Sequence, residues 1–184
     1  MKDAIEKRRA YRSLEKFNVT EDLIDDLVEC ACLAPSCFNK QPWRFVFVYD
    51  ENILKKLHDA LSPGNEWAKR ASMIVAVCSK KEYDCIIHDR EYYLFDTGMA
   101  VAFLILRATE RGMVAHPIAG YSQKKVKNIL KIPEDMKVIT LIIFGVHSGI
   151  INPSLSEKQK EAEKKRPERK KPEEICFHNV YKVE

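Results

Sequence analysis

Glycine-rich loops are missing from this chain, which holds only 6 glycines in 184 residues. No G-x-G-x-x-G and no G-x-x-x-x-G-K-[ST] occurs, so neither a Rossmann dinucleotide loop nor a P-loop is supported. Long apolar runs are missing too. None approaches the roughly 20 residues of a membrane span, and Met1 to Arg8 carries no apolar signal region. A cytoplasmic protein with no membrane segment is expected. No internal repeat is visible. The 6 cysteines lack metal-ligand spacing. Cys30 and Cys32 lie two apart on a helical stretch and point roughly 200° apart in azimuth, so they cannot share an ion. In a cytosolic chain the thiols are expected to be free, with no metal site.

The composition present is that of a soluble globular protein: 46% hydrophobic and 32% charged. That length can bury a core without disulfides or metals, and one domain over 1–184 is expected. The net charge of +4 invites a nucleic-acid reading, but its distribution argues against one. Residues 157–171 hold 8 Lys/Arg and 4 Glu, and the rest of the chain is neutral. A solvated arm explains that run, and no nucleic-acid partner is expected.

Periodicity gives the elements. Residues 2–9 read as a short helix. Thr20 can cap a helix whose apolar stripe is Leu23, Ile24, Leu27, Val28 and Ala31, with Pro35 beyond its end. Arg44 to Tyr49 reads as a strand. Residues 52–61 read as a helix stopped by Ser62-Pro63-Gly64-Asn65. Met73 to Cys78 is continuously apolar, as a strand buried on both faces requires. Residues 90–111 read as a long apolar helix, Met113 to Ile118 as a strand, 122–130 as a helix with Ser122 as cap, and Val138 to Val146 as a strand. Strict βαβ alternation is absent. The pattern suggests α+β, with one sheet covered by helices. Residues 151–174 show no packable stripe, so this arm is either disordered or reaches across to a partner, most simply a second copy.

Two segments carry chemistry. Ala34-Pro35-Ser36-Cys37-Phe38-Asn39-Lys40-Gln41-Pro42-Trp43 joins the first strong helix to the first strand. Its prolines stiffen the backbone and its polar groups suit a flat polar ligand. Arg8, Arg9 and Arg12 cluster after the first helix, and guanidinium forks suit phosphate or carboxylate oxygens.

Together these segments resemble the FMN-dependent nitroreductases. Residues 6–12 are similar to that family's opening arginine motif, and 34–43 to its A-P-S-x-x-N-x-Q-P-W turn. Asp96-Thr97-Gly98-Met99-Ala100, Pro117-Ile118-Ala119-Gly120, Leu130-Lys131-Ile132-Pro133-Glu134 and Phe144-Gly145 follow in the family's order. The resemblance spans residues 3–176. It implies an α+β nitroreductase-like fold with a mainly antiparallel sheet. It also implies a homodimer with exchanged C-terminal arms (151–184) and FMN at the subunit interface.

By position, the resemblance puts Arg8 and Arg9 on the FMN phosphate and Arg12 near N1 and O2 of the ring. It has Pro35, Ser36 and Cys37 line the ring from the partner subunit, with Asn39 ordering the turn. Asn65 would contact the pyrimidine edge, and Ala119 and Gly120 would offer backbone N–H groups. Arg169 or Lys170 would close on the phosphate. Departures are visible. Ala10 replaces a usual serine, Ala119 stands where some members carry an acid, and Arg169-Lys170-Lys171 offers three cations in place of one arginine. The chain also lacks the helical insertion of larger members, leaving the pocket open or covered by residues 80–95.

The activity implied is ping-pong transfer from NADH or NADPH to nitroaromatic, quinone or related acceptors, with the flavin carrying the redox chemistry. A non-turnover flavin sensor and a dehalogenase or flavin-modifying branch are the alternatives. Trp43 and Phe45 read as core, Trp67 as core or pocket mouth, and His116 as a turn histidine or a substrate contact.

Overall fold

In the computed structural model, which describes residues 1–181, the elements run in chain order as α1 (Lys2–Lys7), β1 (Leu14–Glu15), α2 (Glu21–Cys32), β2 (Arg44–Val48), α3 (Glu51–His58) and β3 (Met73–Ser79). A small hairpin of β4 (Ile86–Ile87) and β5 (Arg90–Glu91) leads into α4 (Tyr92–Glu110). Then come β6 (Met113–Ile118), α5 (Gln123–Leu130), β7 (Lys137–His147) and α6 (Glu157–Lys164). The last three positions of the expected arm, 182–184, lie outside the described residues.

The sheet is antiparallel throughout. β7 is its spine: β3 pairs with Lys137 to Phe144, β6 with Leu141 to Val146, and β1 with Val146 and His147. β2 extends the sheet beyond β3. Pro117 sits in β6, whose only partner among the described residues is β7. A residue without an N–H is tolerated on such an edge. Gly145 lies where β1 crosses β7, and a Cβ there would come within 2.9 Å of the Leu14 Cβ.

Side-chain alternation along β3 divides the core. Ile74, Ala76 and Cys78 face a cluster that includes Leu57, Trp67, Ile118 and Val126. Met73, Val75 and Val77 face another built from α2 and α4 through Leu27, Ala31, Ala100 and Leu104. The sheet is therefore covered on both faces, which is why β3 reads as an unbroken apolar run. Thr20 and Ser122 cap α2 and α5 through their hydroxyls as their sequence positions suggest. Arg107 of α4 grips Asp26 of α2 through both Nε and Nη2.

Two expectations need correction. Residues 151–174 are not a stretch without packing. Ser156 and Gln159 form a capping box that starts α6, and the arm docks on its own chain through Asn152, Leu155 and Glu163, all buried, with Gln159 donating to the Gly64 carbonyl. Scattered, mostly polar anchors leave no apolar stripe in the sequence. The cysteines are also not all free. Cys37 and Cys85, 48 positions apart, form a disulfide with Cα atoms 6.1 Å apart. Only the fold brings them together. Cys30, Cys32, Cys78 and Cys176 are free thiols.

Candidate functional site

The structure sorts the expected site residues into two groups. The first surrounds the loop between α1 and β1. Its backbone is held by Glu163, whose carboxylate accepts the N–H of Arg12 at 2.8 Å and of Ser13 at 3.0 Å. Arg9 donates to the carbonyls of Ala162 and Glu163 at the end of α6. Cations are favoured at helix C-termini. Arg166 donates in return to the carbonyls of Glu6 and Arg8. The arm and the arginine loop thus clasp each other.

The clasp gathers positive charge. Burial, and then Arg166, Arg169 and Arg9 in that order, push the Arg8 guanidinium below its usual range. Among the described residues none of these four arginines makes an ion pair. Arg12 is lowered mainly by burial, with Glu163 opposing. Its guanidinium lies 5.9 Å from the centre of the Trp67 ring. Arg169 and Lys170 are exposed. Of the two, Arg169 is the one whose charge is felt at Arg8.

Asn65 and Gly120 join this group. The Asn65 side-chain amide donates to the Gly120 carbonyl at 2.9 Å, and Ser62 N–H donates to the same oxygen at 3.0 Å. A Cβ at position 120 would meet the Asn65 Nδ2 at 2.4 Å, so any larger residue there must displace the Asn65 amide. Among the described residues, the N–H groups of Ala119 and Gly120 donate to no backbone carbonyl outside the strand ladders.

Trp67 is not at a pocket mouth. It is only 2% exposed, its ring lies 4.7 Å from that of His116, and its indole N–H finds no acceptor. His116 is buried, with Nδ1 3.1 Å from the Tyr11 carbonyl. A carbonyl can only accept, so Nδ1 carries the proton. Burial pushes this imidazole down to about 4.

The second group is the turn between α2 and β2. Phe38, Asn39 and Gln41 all have positive φ. Hydrogen bonds hold that conformation: Ser36 Oγ accepts the Gln41 N–H, and Gln41 Nε2 donates to Asn39 Oδ1. Cys37 N–H donates to the buried carboxylate of Asp96 on α4 at 2.6 Å. The disulfide then ties this turn to residues 80–91, so that segment sits on the turn rather than being a free cover. Pro42 accepts from Ser79 Oγ, and Trp43 is buried in the core. No hydrogen bond, ion pair or ring contact joins the two groups among the described residues.

Arg166, Glu163, Asp84 and Cys85 were not singled out from sequence. The Ser156-x-x-Gln159 capping box was a usable signal for the first two. Nothing local marks the last two.

The fold is α+β, an antiparallel sheet covered by helices on both faces, and beside it lies an arginine cluster that makes no ion pair among the described residues. The nitroreductase family model matches residues 5–64 and 62–146, and the chain belongs to that family. It is 28% identical over 142 residues to a protein of Archaeoglobus fulgidus assigned as an NADH dehydrogenase/NAD(P)H nitroreductase, covering 75% of this chain and 80% of that one. It is 27% identical to an iodotyrosine deiodinase of Haliscomenobacter hydrossis, covering 86% and 84% of the two chains. Among solved structures, an oxidoreductase containing FMN superimposes with a TM-score of 0.84 at 26% identity, covering 98% of this chain and 92% of the other. No helix among the described residues is long and apolar enough to cross a membrane.

Proposed function

We propose that this chain is an FMN-dependent oxidoreductase that uses NADH or NADPH to reduce small-molecule acceptors such as nitroaromatics and quinones. The observation that carries this reading is the cluster of Arg8, Arg9, Arg166 and Arg169, none of which makes an ion pair among the described residues. Guanidiniums stay charged at any physiological pH. Four of them held together repel one another, and a bound dianion reverses that cost. A phosphate monoester fits this donor set. Membership of the nitroreductase family and the likeness to an oxidoreductase containing FMN point to a flavin as the rest of the ligand.

In this reading Arg8, Arg166 and Arg169 hold the phosphate, with Lys170 beside them. Arg9 spends part of its fork on α6 and fixes the arm. Arg12 faces the ring and compensates negative charge where it develops. Asn65 and the N–H groups of Ala119 and Gly120 hold the polar edge. When bound, the flavin supplies the two-electron chemistry. Electron donor and acceptor would occupy one space in turn, which predicts parallel double-reciprocal lines.

Pro35, Ser36, Cys37 and Asn39 lie apart from this group, so a second copy would supply them. An unpartnered apolar face supports that homodimer: Leu94, Phe95 and Phe103 on α4 are exposed, beside Leu33 at 74% and Phe38 at 86%. Dimerisation and activity should then be lost together.

The deciding measurement is an absorbance spectrum of the purified protein, followed by reduction with each nicotinamide. A colourless protein that cannot be reconstituted with FMN would sink the proposal. A yellow protein that oxidises neither NADH nor NADPH would support the sensor reading instead. The deiodinase relative is the reason to include halogenated tyrosines in the acceptor panel.

A further inference from the structure

The disulfide between the turn and the 80–91 segment has company. The Asp84 carboxylate lies beside it, and the two sulfurs and a carboxylate oxygen fall within 4.8 Å of one another. Asp84 is only 9% exposed. Its Oδ1 accepts the Cys85 N–H at 2.8 Å, but its buried Oδ2 has no hydrogen-bond donor. A buried carboxylate oxygen without an N–H donor is costly, and either a proton shared with the neighbouring Asp96 carboxyl or a cation would satisfy it. Asp96 closes the far side, its carboxylate already committed to the Cys37 N–H. The Asp84 and Asp96 carboxyls therefore meet beside the two sulfurs, and a cation at Oδ2 would offset the negative charge gathered there.

We propose that in its dithiol state the chain binds one thiophilic divalent cation, of which Zn²⁺ is the model, through Cys37 Sγ, Cys85 Sγ and Asp84 Oδ2. Two thiolates and a carboxylate form a donor set suited to Zn²⁺, with bonds of about 2.3 Å to sulfur and about 2.0 Å to oxygen and a fourth position left to water. The backbone positions are in place, because the disulfide has already brought the two cysteines to a Cα separation of 6.1 Å. The disulfide and the metal are mutually exclusive. Two equivalents of a small-molecule thiol reduce the protein disulfide to two thiols and leave as their own disulfide. The cation then displaces two thiol protons. Either state keeps residues 80–91 fastened to the turn at 34–43, so the metal takes over the cross-link when the thiols are reduced. This inference concerns this chain's own residues and does not rest on the flavin reading.

The test uses the full-length protein, reduced with a non-chelating phosphine, desalted anaerobically and titrated with Co²⁺ and Zn²⁺. One equivalent of Co²⁺ should bind, with tetrahedral d–d bands and a thiolate-to-cobalt charge-transfer band, and Zn²⁺ should bleach both. The oxidised protein should give neither. Cys85→Ser should lose the charge-transfer intensity, and Asp84→Asn should weaken binding by more than the roughly tenfold typical of losing a residue behind a ligand. Cys32→Ser, outside the cluster, should bind like the parent. A variant that folds poorly is bypassed in the parent protein itself, where Zn²⁺ should protect Cys37 and Cys85, but not Cys32, from alkylation read by mass spectrometry. Absence of the cobalt bands in the reduced parent, or alkylation of Cys37 and Cys85 at the same rate with and without Zn²⁺, would overturn the proposal. So would parent-like affinity in a folded Asp84→Asn.

Discussion

The arginine clasp and the cysteine turn are two solutions to holding a loop in place, and they differ in what they leave open. The turn at 34–43 is closed on itself. Its backbone N–H groups at Cys37 and Gln41 are taken by Asp96 and Ser36, and a covalent bond fastens it to residues 80–91. The clasp is held by one carboxylate and a few carbonyls, while its guanidiniums keep unspent donors and unpaired charge. A segment that must present a fixed wall can satisfy its own groups. In the proposed reading the clasp leaves its guanidiniums without ion pairs, because an internal partner would compete with the anion.

The strongest way to break this contrast is to remove Glu163. Glu163→Ala leaves the N–H groups of Arg12 and Ser13 without their acceptor, and each orphan costs about 1–3 kcal/mol. A loss of about 3–5 kcal/mol is expected in denaturant melts. Limited proteolysis should cut the arm near Lys165 while the 34–43 turn stays protected.

Acid should act on the clasp side through His116. Its native pKa of about 4 lies below its ordinary value of 6.5. Between those values the unfolded chain binds the proton and the native chain does not. The contribution is therefore complete above pH 6.5 and is lost as pH falls to 4. It amounts to about 3 kcal/mol. His116→Gln should flatten that window in a melt-versus-pH series; an unchanged slope would remove His116 as its cause.

Next in size is Arg8→Ala. A charge-assisted bond to phosphate contributes about 1.5–3 kcal/mol, so FMN should bind roughly 10- to 100-fold more weakly. Riboflavin, which lacks the phosphate, should be nearly unaffected. Fluorescence titration reads both, and equal losses would disconnect Arg8 from the phosphate.

The smallest effect sharpens the geometry. Gly120→Ala pushes its Cβ onto the Asn65 amide, a side-chain end that can move. The cost should be one hydrogen bond, about 1 kcal/mol. A cavity-scale loss would show that the amide cannot yield.

Most of the framework was legible because its signals are local. The unbroken apolar run of β3 announces burial on both faces, and Thr20 and Ser122 mark helix starts whose hydroxyls do cap. Asn65 and Gly120 were each picked out through the ordered family motifs, but only the fold shows that they touch. The docking of the arm on its own chain is not legible because its anchors, Asn152, Leu155, Gln159 and Glu163, are scattered and mostly polar rather than an apolar stripe. Arg166 is hidden among the 8 Lys/Arg of residues 157–171.

The sequence by itself determined most of the helices and strands, where the chain turns and that cations gather near the N-terminus, since periodicity, capping and turn chemistry act over a few residues, while β1, the β4–β5 hairpin and α6 carry no apolar periodicity. Only the tertiary structure decided which distant groups meet. Sheet pairing and the docking of α4 bring Cys37 to Cys85 and Asp84, and the return of the arm brings Glu163 and Arg166 to the arginine loop. Such contacts depend on the path of the whole backbone, and no local pattern of residues records it.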